Sequence, residues 1–126
     1  MVVDIGANIG YYTLLCARCV GASGTVFAFE PDRENFKLLS ANVEMNAYSN
    51  VTLVEAAVSD HTGEGVLYRN EVNRVDHRTY DPGDGWAHTP IATVRIDDYF
   101  EPDPAPVDII KLDIQGSEPR ALAPVR

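Results

Sequence analysis

The stretch Val2-Val3-Asp4-Ile5-Gly6-Ala7-Asn8-Ile9-Gly10, followed by Phe27-Ala28-Phe29-Glu30-Pro31-Asp32, constrains this chain more than any other feature. An apolar run ending in a glycine-containing turn, then a helical pattern, then a second apolar run ending in an acid describes one βαβ unit with parallel strands. A strand that feeds straight into a helix needs a turn with little side-chain bulk, which Gly6, Ala7 and Gly10 supply, and such a turn lets backbone approach a ligand. Asn8 tolerates unusual dihedrals and carries both a donor and an acceptor. Glu30 follows Gly6 at close to the ~20-residue interval at which an acid at the end of the second strand accepts hydrogen bonds from ribose hydroxyls. Asp32 is then left to start the next helix as its cap.

The dinucleotide fingerprint G-x-G-x-x-G, aligned on Gly6, requires glycine where Asn8 and Tyr11 stand. Both positions fail, which argues against NAD and a nicotinamide-linked oxidoreductase. G-x-N-x-G suits the amino-acid end of an aminocarboxypropyl chain better than a pyrophosphate.

At 126 residues the chain allows one domain with a modest core. Its 45% hydrophobic and 23% charged residues are ordinary for a folded domain and exclude disorder as the default. Lys and Arg number 10 against 19 Asp and Glu, a formal net charge of −9 that repels phosphate backbones and argues against nucleic acid as a partner. No run approaches the ~20 apolar residues of a membrane span, and no basic segment precedes an apolar stretch at the start, so the default expectation is the cytoplasm. Cys16 and Cys19 fall late in the first helix, where the dipole raises rather than lowers a thiol pKa. With no second Cys pair or spaced His pair to complete a metal site, they are read as packing residues and no metal is expected.

Along the chain, a strand at about 2–6 leads to a helix at about 10–20, apolar on nearly all sides and therefore expected to be largely buried. A strand over 25–30 follows, then a helix over about 33–46 with Phe36, Leu39 and Val43 on one face, and a third strand over 51–58. A short alternating run at 65–69 is expected to pair with another at 91–96. Between them lies a polar loop from about Asn70 to Pro90, long enough to suggest function or disorder. Asp97 to Phe100 suggest a turn of helix. A Pro-rich spacer, Pro102 to Pro106, delivers the fourth main strand, Val107 to Ile114. Ser117 is expected to cap a last helix that has Pro119 in its first turn. His61, His77 and His88 all fall in expected loops, and none is assigned a role.

In open parallel sheets a ligand lies beyond the carboxyl ends of the strands, where strand order reverses. Gly6 to Gly10, Glu30, Ala56-Ala57 and Asp113 to Glu118 all stand at such ends and should converge on one crevice. Lys111 and Asp113 share a face of the fourth strand. A lysine in a central strand needs a partner, which Asp113 or Glu118 could supply. Alternatively, Asp113 lies beside the reacting group and assists the ligand's amino end or an acceptor hydroxyl. The two readings are compatible.

Four blocks in order and register, V-D-I-G-A-N-I-G-Y-Y, F-A-F-E-P-D, V-E-A-A-V-S-D and I-I-K-L-D-I-Q-G-S-E, resemble FkbM-type methyltransferases, a branch of the class I S-adenosylmethionine-dependent enzymes. The resemblance runs from residue 2 to about 122. It implies an α/β fold, a Rossmann-like three-layer αβα sandwich with a mostly parallel sheet, and S-adenosylmethionine as cofactor. It implies further that Asp4, Gly6, Asn8 and Gly10, with Ala7 among them, line the methionine part, that Glu30 with Pro31 beside it holds the ribose, and that Ala57 lies by the adenine. Lys111, Asp113 and Glu118 belong to the family's K-x-D-x-x-G-x-E block, which the resemblance places near the cofactor and the presumed acceptor. The family typically methylates oxygen on sugars, glycans or secondary metabolites, so the expected partner is a small-molecule or glycan acceptor. Related proteins usually carry further segments at both ends, and the domain is therefore expected to be partial, truncated after the fourth main strand and its helix. The strand edge left open would invite pairing with a second copy. A non-catalytic nucleoside-binding or interaction module, left by such truncation, is the alternative function.

Overall fold

The computed structural model describes residues 1–73, 76–83, 85–101 and 106–123. Its first strand, β1 (Val2–Ile5), is buried at every position, because helices cover both faces of the sheet it belongs to. After β1 come α1 (Tyr11–Val20), β2 (Val26–Phe29), α2 (Arg33–Met45), β3 (Val51–Val54), β4 (Ala57–Val58), β5 (Gly63–Arg69), β6 (Ala87–Val94), α3 (Ile96–Phe100), β7 (Ile109–Leu112) and α4 (Glu118–Ala121). Strands β3, β2, β1 and β7 form, in that order, a wholly parallel sheet. The chain moves outward from β1 to β3 and then returns to the other side of β1 for β7. The order therefore reverses between β1 and β7, and a crevice is expected at their carboxyl ends.

Alternation along the strands sorts the core onto two faces. Val2 and Val26 meet Ala17 of α1, while Ala28 packs with Leu39 and Val43 of α2. On the opposite face Val3, Ile5 and Phe29 pack with Ile96, Val58 and Ala121, and the rings of Tyr99 and Phe100 stand edge-on to Phe27 at 6.0 and 5.0 Å. Asp32 caps α2 as expected, accepting from the Glu34 and Asn35 N–H groups at 3.0 Å each.

Several expectations need correction. Helix α1 is not largely buried: only Thr13 and Ala17 are, whereas Tyr11, Tyr12 and Leu15 are exposed, because one side alone faces the sheet. The third strand does not run unbroken over 51–58. The Ala56 N–H turns back to the Val54 carbonyl at 3.0 Å, and Ala57-Val58 leaves the first sheet to pair with β6 in a second one, ordered β4-β6-β5. The two segments expected at 65–69 and 91–96 do pair, as the antiparallel β5–β6, but in another register: residues 65–69 face 87–91, β6 runs from Ala87 only to Val94, and Ile96 belongs to α3, so the loop is shorter than expected and His88 lies in a strand. Pro90 is tolerated there because β4 reaches only Thr93 and Val94, leaving β6 paired on one side at that point. Ser117 makes no side-chain cap to α4. Cys16 is half-buried against the Val2 cluster, but Cys19 is exposed, contrary to its expected packing role. Most of the Pro-rich spacer, residues 102–105, lies outside the described residues, as do 74–75 and 84 of the loop. Among the described residues, no helix is long and apolar enough to cross a membrane.

Candidate functional site

A crevice of about 330 Å³ opens at the carboxyl ends of β1, β2 and β7, where strand order reverses. Gly6, Ala7, Asn8, Glu30, Pro31, Ala57, Lys111 and Asp113 all line it, so residues scattered over four segments of the sequence meet in one place. Asp4, Gly10 and Glu118 are not part of the lining. Each has a supporting position instead.

The glycines of the first turn answer to packing as well as to conformation. Gly6 has φ 78° and Gly10 φ 98°, left-handed values that side chains avoid. A Cβ at Gly6 would stand 2.2 Å from the Asp113 carbonyl oxygen, and one at Gly10 would stand 2.7 Å from Leu39 Cδ1. A tertiary reason for these glycines thus stands beside the expected one: Gly6 admits the chain after β7, and Gly10 admits α2. Asn8 takes φ 53°, as its short polar side chain allows.

Four of the turn's five backbone N–H groups are committed to protein acceptors. The N–H groups of Gly6 and Ala7 both go to the Phe29 carbonyl at 3.0 Å, Asn8 N–H goes to Glu30 Oε2 at 2.7 Å, and Gly10 N–H goes to the Ala7 carbonyl at 2.9 Å. A phosphate cradle needs such N–H groups turned toward the ligand. Here they bind protein instead, and one of them binds a carboxylate, so the turn is chemically unsuited to a pyrophosphate.

Glu30 is buried at the end of β2. Its Oε1 accepts from the Asp32 N–H at 2.8 Å and its Oε2 from Asn8, which fixes the carboxyl plane and ties the second strand end to the first turn. Each oxygen keeps one further lone pair for a ligand donor. Burial pushes its pKa up to about 7, against the pull of those two backbone donors.

Asp4 is fully buried below the turn. Thr13 Oγ1 donates to its Oδ2 at 2.6 Å, and Lys111 Nζ stands 3.0 Å from its Oδ1 as an ion pair while donating to the Gly6 carbonyl at 2.8 Å. The Lys111 ammonium also lies 5.4 Å from the Tyr12 ring centroid, within cation–π range. This corrects the expected partnership: Lys111 pairs with Asp4, not with Asp113 or Glu118. Asp113 is exposed in the crevice, where Gln115 Nε2 donates to its Oδ1 at 3.1 Å. Glu118 accepts from the Ile114 N–H at 3.2 Å, holding the loop that follows β7.

Sequence reasoning missed His77, Thr79, Leu67 and Asn35, which also line the crevice. The first three come from β5 and the loop after it, and the only signal for them was that loop's length.

The profile of the family described as "Methyltransferase FkbM domain" matches residues 4–126. The chain is also similar to the crystal structure of methyltransferase FkbM from Methylobacillus flagellatus KT, with 29% identity and a TM-score of 0.65 over 96% of this chain and 27% of that one. A more distant likeness, to a SAM dependent methyltransferase from Aquifex aeolicus, has 24% identity and a TM-score of 0.44 over 46% of this chain and 31% of that one. The chain thus spans only about a quarter to a third of the length of either structure. A search of curated proteins gave no match.

Proposed function

The chain belongs to the FkbM methyltransferase family, and we propose that its crevice holds S-adenosylmethionine and presents it to a hydroxyl group of a sugar, glycan or secondary metabolite. The observation that carries this reading is the pairing of Glu30 with a turn in which four of five N–H groups are already used. Such a site offers acceptors to ribose hydroxyls and little to a phosphate, since Lys111 in its wall is paired with Asp4. The cofactor, when bound, supplies a methyl group on a positively charged sulfur. With Asp113 and Glu30 in its wall, the Lys111 charge offset by Asp4, and a chain of net charge −9, the crevice suits that cation.

The residues of the chain then have separable tasks. Glu30 accepts from the ribose, with Pro31 and Ala57 as apolar wall on the nucleoside side. The Asn8 side chain faces the polar end. Lys111 and Asp4 hold the turn in shape beneath. Asp113, exposed at the β7 end, is placed to take the proton of an acceptor hydroxyl. Alignment and exclusion of water carry most of such a displacement, worth up to ~7–11 kcal/mol when the geometry is right.

Calorimetric titration with S-adenosylhomocysteine tests the cofactor reading. Binding by the parent, weakened at least about tenfold in Glu30→Ala by loss of charge-assisted hydrogen bonds, is expected; no binding by the parent overturns it. Asp113→Asn should bind the same ligand normally and lose methyl transfer to hydroxyl acceptors. Binding without transfer to any acceptor in the parent points instead to a non-catalytic nucleoside-binding module.

A further inference from the structure

The parallel sheet provides only one side of the crevice. Elsewhere the crevice is lined by Ala57 and Val58 of β4, Leu67 of β5, and His77 and Thr79 of the segment 76–80. Tyr68 and Arg78 exchange both backbone hydrogen bonds, at 2.7 and 3.0 Å, in an isolated antiparallel bridge that holds this segment against β5. The alternation of extended chain then sends His77 and Thr79 to one side and Arg78 to the other. His77 and Thr79 line the crevice, whereas the Arg78 guanidinium lies over the rings of Tyr80 and Trp86, 5.6 and 5.1 Å from their centroids.

Both inward side chains are anchored, at opposite ends of the crevice. Asn70 donates its backbone N–H to His77 Nδ1 at 3.1 Å, and the ring's Nε2 stands 3.9 Å from Asp32 Oδ2. Asp32 in turn donates its N–H to Glu30, so the imidazole, only 10% exposed, sits at the Glu30 end. Thr79 Oγ1 lies 2.6 Å from Ser117 Oγ, beyond β7, at the Asp113 end.

We propose that residues 76–80 are the second wall of the nucleoside site and that His77 is a specificity-determining residue whose ring packs against the bound nucleoside. This rests on the reading of the crevice as a nucleoside site. A flat, nearly buried ring beside an acid that accepts from ribose hydroxyls gives an apolar and polarisable surface to the adenosine portion, while the bond from Asn70 fixes its orientation. Thr79, tied to Ser117, serves to position the strap rather than to touch the nucleoside.

Titrating the parent, His77→Ala and His77→Gln with adenosine and with S-adenosylhomocysteine tests this. Gln retains an acceptor for the Asn70 N–H and so keeps the strap anchored if the alanine variant does not fold. Either variant should lose about tenfold in affinity, and by the same factor for both ligands, because the contact is to the portion they share. Unliganded melting of His77→Gln should stay close to the parent's, which a merely structural role for the ring would not allow. Parent-like affinity in His77→Gln, or a loss confined to S-adenosylhomocysteine, overturns the inference while leaving the cofactor reading intact. Absence of binding by the parent removes both.

Discussion

Lys111 and Asp4 are direct neighbours across the parallel β1–β7 pair, and the lysine ammonium lies 3.0 Å from the fully buried carboxylate. The same ammonium holds the Gly6 carbonyl, so one side chain neutralises a buried charge and shapes the turn at the crevice floor.

Removing one partner of such a pair strands the other. Lys111→Ala should therefore destabilise the chain by about 3 kcal/mol, the lower end for a buried pair because the lysine is partly exposed. Urea unfolding measures this. Asp113→Ala, in an exposed position, should stay within about 0.5 kcal/mol of the parent. Equal effects of the two substitutions would argue against the pairing with Asp4.

Glu30 makes stability and binding respond to pH in opposite senses. Its folded pKa of about 7 lies above the ordinary 4.5, so its contribution to stability is fully present below about 4.5 and is lost as pH rises through 7. The loss amounts to about 3 kcal/mol in the unliganded chain. Ribose hydroxyls donate to the ionised carboxylate, so nucleoside affinity should rise over the same interval. Melting curves and calorimetry from pH 5 to 8 should show both trends, and Glu30→Gln should flatten both.

Two glycines with positive φ distinguish packing from strain. At Gly21, where φ is 67° and ψ −168°, a region almost reserved for glycine, an added Cβ would meet no heavy atom within 4 Å, so Gly21→Ala should cost only the conformational strain, about 1–3 kcal/mol. Gly6→Ala adds a collision with the Asp113 backbone at 2.2 Å and should cost more than about 3 kcal/mol or prevent folding. Thermal unfolding of the two variants side by side checks the difference.

Asp32 joins the helix cap to the second sheet: its Oδ1 caps α2 while its Oδ2 lies 3.0 Å from Arg69 Nε. Asp32→Asn keeps a capping oxygen but gives up the ion pair, whereas Asp32→Ala loses both. Chemical denaturation should find the alanine variant about 2 kcal/mol less stable than the parent and the asparagine variant about 1.

The parallel βαβ beginning was legible in the sequence because its signals are local. Gly6, Asn8 and Gly10 punctuate the first strand, Asp32 announces α2, and Phe36, Leu39 and Val43 mark its inner face. The break at Glu55-Ala56 was not legible, since Val51 to Val58 is a continuous strand pattern and only competition with β6 for pairing divides it. The exposure of Tyr11, Tyr12 and Leu15 was missed for a similar reason. An apolar helix states that it can be buried, and the sheet decides which side is.

The site divides along the same line. Sequence alone determined that Gly6 to Asn8, Glu30 and Asp113 stand just past strand ends, because period and turn chemistry are properties of short segments; Ala57, expected at the end of the third strand, instead begins β4. Tertiary structure alone decided that Lys111 faces Asp4, that Gly6 must be glycine because Asp113 passes beside it, and that His77 and Thr79 close the crevice. These depend on the register of β7 against β1 and on where the β5–β6 hairpin folds back, long-range choices made by the packing of the whole chain.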